Sequence, residues 1–279
     1  MTPQVARAAE TGGVSERIAA NIGYLFTELS LIDRFGAARD AGFGAVDLSD
    51  IMRYPLDDVL TGMRRSGLPL LQTTGAAGSR DRREPGIAAL PGREPEFRAA
   101  CRALLPCIEA TGLRFVHFTS GIPSPDIPFE RCCATYRDNL RFALDLFAPR
   151  GTTILIEPIN AIDLSGYFMH TLVLARRMIA DIGHADVKLL FDVYHLAKSG
   201  LDPIGAFRES HRDIGHVQLA DHPDRHEPGT GTVDFPGLYS VAAETGYRGW
   251  FSAEYVPSAG TDAGLHWVSV LRERHSLYP

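Results

Sequence analysis

Four short apolar runs in the second half of the chain each lead into a side chain that could bind a cation or move a proton. Glu157 follows TILI, Asp192 follows KLLF, Gln218 lies within GHVQLAD and Glu254 follows WFSA. Side chains alternate along a strand, so each of these groups shares a face with the residue two positions before it. Glu157 pairs in this way with Leu155, Asp192 with Leu190, Gln218 with His216 and Glu254 with Ser252. If the runs are neighbouring strands, three carboxylates and an amide converge at their carboxyl ends. Two carboxylates at about 4 Å repel by roughly 4 kcal/mol at an effective dielectric of about 20. Three must therefore be held apart, protonated or neutralised by a cation. The set offers only oxygen, which suits Mg²⁺ or Mn²⁺ better than Zn²⁺. Taken singly, each residue could be a helix cap or half of a salt bridge, and Asp192 stands where an N-cap would. The repetition over four strand ends favours a shared site.

His195 follows Asp192 by three residues and falls over the same opening, where it is expected to touch substrate. Arg225 and Arg93 lie in loops and carry the forked donors that bind a carboxylate in two-pronged fashion, so both are candidate substrate-binding groups. His216, two residues below Gln218, is expected to pack lower between the strands.

The elements that must position these groups can be read from periodicity. Strands are expected at 18–26, 45–48, 69–73, 115–118, 152–156, 187–191, 214–219 and 250–253. Helices are expected at 31–41, 55–66, 96–110, 128–147, 172–182, near 203–210, at 235–245 and from about 262 to 274. Eight strand–helix pairs without a break in composition argue for one parallel (β/α)8 barrel, whose active site lies at the carboxyl ends of the strands. An open doubly wound sheet usually carries a glycine-rich phosphate turn after its first strand, and GYLFTELS is not one. Residues 1–17 read as a loose tail and 18–279 as the catalytic barrel. The polar stretch GAAGSRDRREPGIAALPGRE is longer than most loops in compact domains, and such loops are often functional.

The chain has 279 residues and a net charge of −6, so nothing electrostatic recommends a nucleic-acid partner. No apolar run approaches the roughly 20 residues of a membrane span. Cys101, Cys107, Cys132 and Cys133 form no CxxC pair and read as buried thiols of a reducing cytoplasm, the expected location.

Several motifs carry a resemblance. FTELSLIDRFGAARDAGFGAVDL, ALPGRE at 89–94, ILIEPIN at 154–160, FDVYH at 191–195, GHVQLADHPDRHEPGTG at 215–231 and GYRGWFSAEY at 246–255 together resemble the hydroxypyruvate isomerase family, within the xylose-isomerase-like barrels. The resemblance spans residues 19–254, and the last three motifs give it its specificity. It implies a metal-dependent aldose–ketose type isomerase of a small hydroxy-oxo acid, with hydroxypyruvate to tartronate semialdehyde, or a 2-oxo-tetronate, as the family's case. It implies Glu157, Asp192, Gln218 and Glu254 as ligands of Mg²⁺ or Mn²⁺, with Glu157 and Glu254 also moving the proton, and His195 and Arg225 near substrate. A ketose 3-epimerase and a sugar-acid or inosose dehydratase of the same barrel are the alternatives. The expected partner is a small hydroxy-oxo acid or sugar, with monomer and homo-oligomer both open. DLSDIMRYP at 47–55 and LQTTGAAG at 71–78 depart from the family pattern at the barrel mouth and bear on the substrate.

Overall fold

The structure, a computed structural model, describes residues 17–79 and 84–273. The barrel strands are β1 (Ile18–Asn21), β2 (Ala45–Asp47), β3 (Gln72–Gly75), β4 (Phe115–Phe118), β5 (Thr153–Ile156), β6 (Val187–Asp192), β7 (Ile214–Leu219) and β8 (Phe251–Ala253). They form one parallel sheet in the order β2-β1-β8-β7-β6-β5-β4-β3. Val46 N–H donates to Pro69 O (3.0 Å) and Leu71 N–H to Val46 O (2.8 Å), which brings the two ends together into a nearly closed barrel. The helices that follow the strands are α1 (Leu31–Asp40), α2 (Leu56–Ser66), α3 (Glu94–Thr111), α4 (Phe129–Phe147), α5 (Leu172–Ile182), α6 (Val193–Lys198), α7 (Pro203–Ser210), α8 (Phe235–Glu244) and α9 (His266–Glu273).

Local chemistry sets the helix boundaries. The Ser30 hydroxyl caps α1 by accepting from Asp33 N–H, and Thr171 caps α5 through Leu174 N–H. Asp202 and Asp234 cap α7 and α8 with their carboxylates. Helix α2 stops at Gly67, whose φ of 75° a residue with a Cβ would adopt only under strain.

The main core lies between the strands and the helices, with Phe35, Phe97, Tyr136, Phe147, Phe191 and Phe207 among its largest buried side chains. A second cluster of Ala19, Ala45, Leu71, Phe115, Leu155, Leu190 and Trp250 fills the lumen. Two residues farther along five of these strands stand Asn21, Asp47, His117, Glu157 and Asp192, all buried. Alternation therefore stacks a polar layer directly on an apolar plug. The plug lies toward the amino ends of the strands and the polar layer toward their carboxyl ends.

Three elements near the site differ from the sequence reading. Strand β1 stops at Asn21 rather than running to residue 26, because Tyr24 and Leu25 N–H turn back onto Asn21 O (3.0 and 2.9 Å). Strand β3 occupies the polar QTTG rather than 69–73. Helix α6, starting directly after Asp192, is additional. The tail expected at 1–17 lies outside the described residues except for Arg17, which is buried and donates to Gly249 O at 3.2 Å. The four cysteines are buried and free. Among the described residues no helix is long and apolar enough to cross a membrane.

Candidate active site

The ends of β5 to β8 bring Glu157, Asp192, Gln218 and Glu254 together, all buried. Arg225 reaches over them from the β7–α8 loop. Its Nη2 donates to Asp192 Oδ2 (3.2 Å) and to Glu254 Oε1 (3.0 Å). The other oxygen of Glu254 accepts from Asn21 Nδ2 at 2.7 Å and from Gln218 Nε2. Glu157 lies between two histidines, with Oε2 3.2 Å from His117 Nδ1 and Oε1 3.6 Å from His195 Nε2. His195 Nε2 is also 3.8 Å from Asp192 Oδ2.

Asp192 caps a helix with one oxygen and turns the other to the cluster. Oδ1 accepts from His195 N–H (3.0 Å) and starts α6 as its N-cap, while Oδ2 faces Arg225 and the site. His216 sits in the lower layer as expected. Its Nε2 lies 2.7 Å from Asp47 Oδ2, and its ring stacks on Phe115. Arg93 stands apart from this cluster of interactions: it pairs with Glu84 (3.1 Å) and Glu96 (2.6 Å) at the start of α3.

Arg225 is held in place from several sides. Its guanidinium lies 5.5 Å from the Tyr24 ring centroid and 5.2 Å from that of Tyr194, a cation–π arrangement on two rings. Its backbone has φ of 60°, a left-handed conformation costing of order 1 kcal/mol for a residue with a Cβ. The buried Asp221 carboxylate compensates by accepting from the N–H groups of His222, Gly229, Gly231 and Val233 at 2.8–3.0 Å, which folds the loop around it. Gly231 is required there, since a Cβ would lie 1.9 Å from His222 O.

Burial sets the protonation states. It pushes the Glu254 carboxyl up to about 8; Arg225 opposes that shift, and Asp192 and Asp47 add to it. Burial, then Asp192 and Glu254, hold Glu157 well above the usual carboxylate range. Burial pushes His117 down to about 3 and His195 down to about 4, so both rings are neutral at pH 7. A carboxyl that binds its proton more tightly when folded contributes stability that is complete below its unfolded pKa and lost as pH rises through the folded value. For Glu254 that window runs from the ordinary 4.5 to about 8, and Glu157 acts with the same sign. The melting temperature of metal-free protein should therefore carry a component that falls over this window. Glu254→Gln, which cannot ionise, should lose less. Melting curves recorded in chelator from about pH 5 to about pH 8 test this, and parallel pH dependence of the two proteins would refute it.

The donor set fits a divalent cation. With its three carboxylates ionised and Arg225 charged, the cluster carries two net negative charges. The Gln218 Oε1 atom is buried and has no hydrogen-bond partner, while its amide nitrogen is committed to Glu254. A buried acceptor without a partner costs about 1–3 kcal/mol unless something fills the role. Glu157, Asp192 and His195 also present possible ligand atoms all within 4.8 Å of one another. Asn21, His117 and Asn160, which hold the site groups, have no role in the sequence reading. Extending the strand-end alternation to IAAN and FVHF would have found the first two.

Comparison with known proteins agrees with the barrel fold. A family model described as a xylose isomerase-like TIM barrel matches residues 35–271. The chain is 36% identical to a 2-oxo-tetronate isomerase from Cupriavidus necator over 90% of this chain and 97% of that protein. It is 32% identical to a hydroxypyruvate isomerase from Escherichia coli over 92% and 99%. A crystal structure titled AP endonuclease, family 2, from Brucella melitensis superposes with a TM-score of 0.87 at 33% identity, covering 91% of this chain and 98% of that one.

Proposed function

The chain belongs to the xylose isomerase-like TIM barrel family, and we propose that within it the protein is an isomerase of small hydroxy-oxo acids. Hydroxypyruvate, going to tartronate semialdehyde, and 2-oxo-tetronate are the proposed substrates. The observation that carries this reading is the pair Glu157 and Glu254: two buried glutamates at the ends of β5 and β8, either side of β6 in the strand order, held by different partners. A positioned carboxylate can take a proton from one carbon and return one to its neighbour.

In this reaction one glutamate removes the proton from the hydroxyl-bearing carbon. The C–H electron pair becomes the double bond of an enediol(ate), and charge builds on the former carbonyl oxygen. A glutamate then delivers a proton to the former carbonyl carbon, and the neighbouring hydroxyl proton passes to the former carbonyl oxygen as the new carbonyl forms. Glu157, Asp192, Gln218 and Glu254 are the proposed ligands of Mg²⁺ or Mn²⁺, which when bound supplies a Lewis acid that polarises the substrate oxygens. Arg225 is the group for the substrate carboxylate, and its Nε is buried without a partner. His195 faces the same space from α6. His117 lies against one Glu157 oxygen and His195 near the other, which positions the carboxylate.

Purified protein given hydroxypyruvate or 2-oxo-tetronate with Mg²⁺ or Mn²⁺ should form the isomeric product, lose turnover on exhaustive chelation and regain it when metal is returned. Product analysis separates this from epimerisation and from loss of water. The same preparation should leave an abasic-site duplex uncut. Full turnover by protein shown metal-free by elemental analysis would remove the cation from the proposal.

A further inference from the structure

The hydrogen bonds behind His195 decide which of its ring nitrogens carries the proton. Asn160, two residues beyond Pro158 in the loop after β5, is fully buried. Its side-chain oxygen accepts from the N–H groups of Ile162 (3.1 Å) and Asp163 (2.8 Å). Two backbone donors therefore fix which end of the amide is oxygen, and the Asn160 nitrogen must point the other way. That nitrogen donates one hydrogen to Asp163 Oδ2 (3.0 Å) and lies 2.7 Å from His195 Nδ1. An amide nitrogen has two hydrogens and does not accept. The short contact to Nδ1 is a hydrogen bond only if Nδ1 is the bare, accepting nitrogen. Asp163 is secured in turn: burial raises its pKa, but hydrogen bonds from Tyr194 and Asn160 outweigh this and hold it below the usual range.

We propose that Asn160 is a positioning residue that fixes the tautomer of His195, so that the imidazole presents an Nε2–H donor, and no lone pair, to the active site. Two consequences follow from the geometry. Nε2 is the His195 atom that faces Glu157 Oε1 and Asp192 Oδ2, and with its proton in place it cannot ligate a cation. His195 is thereby excluded from the metal set even though its ring lies among the possible ligand atoms, and the cation is left to the oxygen donors. An imidazolium is disfavoured as well, since its Nδ1–H would meet the Asn160 N–H head-on. Resting on the proposed isomerase reading, His195 then acts as a neutral donor to a substrate oxygen and supports the charge that develops there without competing as an acid.

Long-range ¹H–¹⁵N spectra of the labelled full-length protein test this, with His195→Gln identifying the ring signals. The wild-type protein should show a protonated Nε2 and a bare Nδ1 at neutral pH, without Mg²⁺ and at saturating Mg²⁺. Asn160→Asp puts a carboxylate against Nδ1, so the proton should shift to that nitrogen. With the substrate assay in hand, kcat should fall by at least about tenfold, with KM and Mg²⁺ affinity changed much less. A proton on Nδ1 in the wild type, loss of the Nε2 proton on adding Mg²⁺, or an Asn160→Asp spectrum like the wild type would each overturn the proposal. The wild-type spectra decide it even if the variant does not fold. They also decide it if no hydroxy-oxo acid is turned over, so failure of the isomerase reading registers separately in the assay.

Discussion

Glu157→Gln and Glu254→Gln should each lower turnover of a hydroxy-oxo acid by at least about a hundredfold, the scale of a positioned acid–base group. Glutamine keeps an oxygen for a cation but cannot take a proton. The two variants should differ in stability. Glu157 meets one histidine with each oxygen; a glutamine can keep its oxygen toward the Nε2–H of His195 and turn its nitrogen to His117, which accepts at Nδ1 by exchanging tautomers. Glu254 accepts from Arg225 at Oε1 and from Asn21 and Gln218 at Oε2. A glutamine there must aim its own N–H groups at donors on one side or the other. Glu254→Gln is therefore expected to melt below Glu157→Gln at neutral pH. In deuterated water, wild-type product should carry solvent deuterium next to the carbonyl, unless the glutamate shields the proton during transfer. Near-wild-type rates in both variants, together with unlabelled product, would exclude proton transfer by the two glutamates.

Arg225→Ala should raise KM for an acid substrate by roughly 10–100-fold, the loss of a hydrogen bond to a charged group, and raise it far less for a neutral sugar. The same change removes the countercharge between Asp192 and Glu254, two buried carboxylates that share one guanidinium nitrogen. Truncating one partner of such a buried pair typically costs about 3–5 kcal/mol; protonation of Glu254 would relieve part of this. Metal-free Arg225→Ala should thus melt well below the wild type and recover more of its stability than the wild type does when Mg²⁺ is added. Equal KM increases for acid and neutral substrates would detach Arg225 from the substrate carboxylate.

The barrel and the four strand-end groups are legible because side chains alternate plainly along β5 to β8, where apolar runs are unmistakable. The alternation is harder to read on β1, β2 and β3. In IAANIGYLF the apolar pattern continues past the strand, since a buried turn and a buried strand demand the same residue types, so Asn21 did not stand out as a strand end. In QTTG the polar residues are buried within a barrel strand, which composition reads as a loop. Helix α6 was hidden because VYHLAK is too short to show a helical period, and only its cap at Asp192 marks it. Part of the support of the site is not legible. That Asn160 backs His195, or that Tyr24 and Tyr194 flank Arg225, follows from distances between residues far apart in the chain. No local spacing encodes them.

The divided duty of Asp192 has a bearing on how such a barrel can change over evolutionary time. Most replacements there strip the site of charge and unravel the first turn of α6 together, displacing His195 and Tyr194 in one mutational event. Asparagine is the exception, since its side-chain oxygen can still cap the helix while the negative charge is gone. A lineage passing through that single change would keep the scaffold, the tyrosines around Arg225 and the shape of the mouth, and give up only the anion. The position is thus a ready branch point from which a binding protein without chemistry can descend from a catalyst.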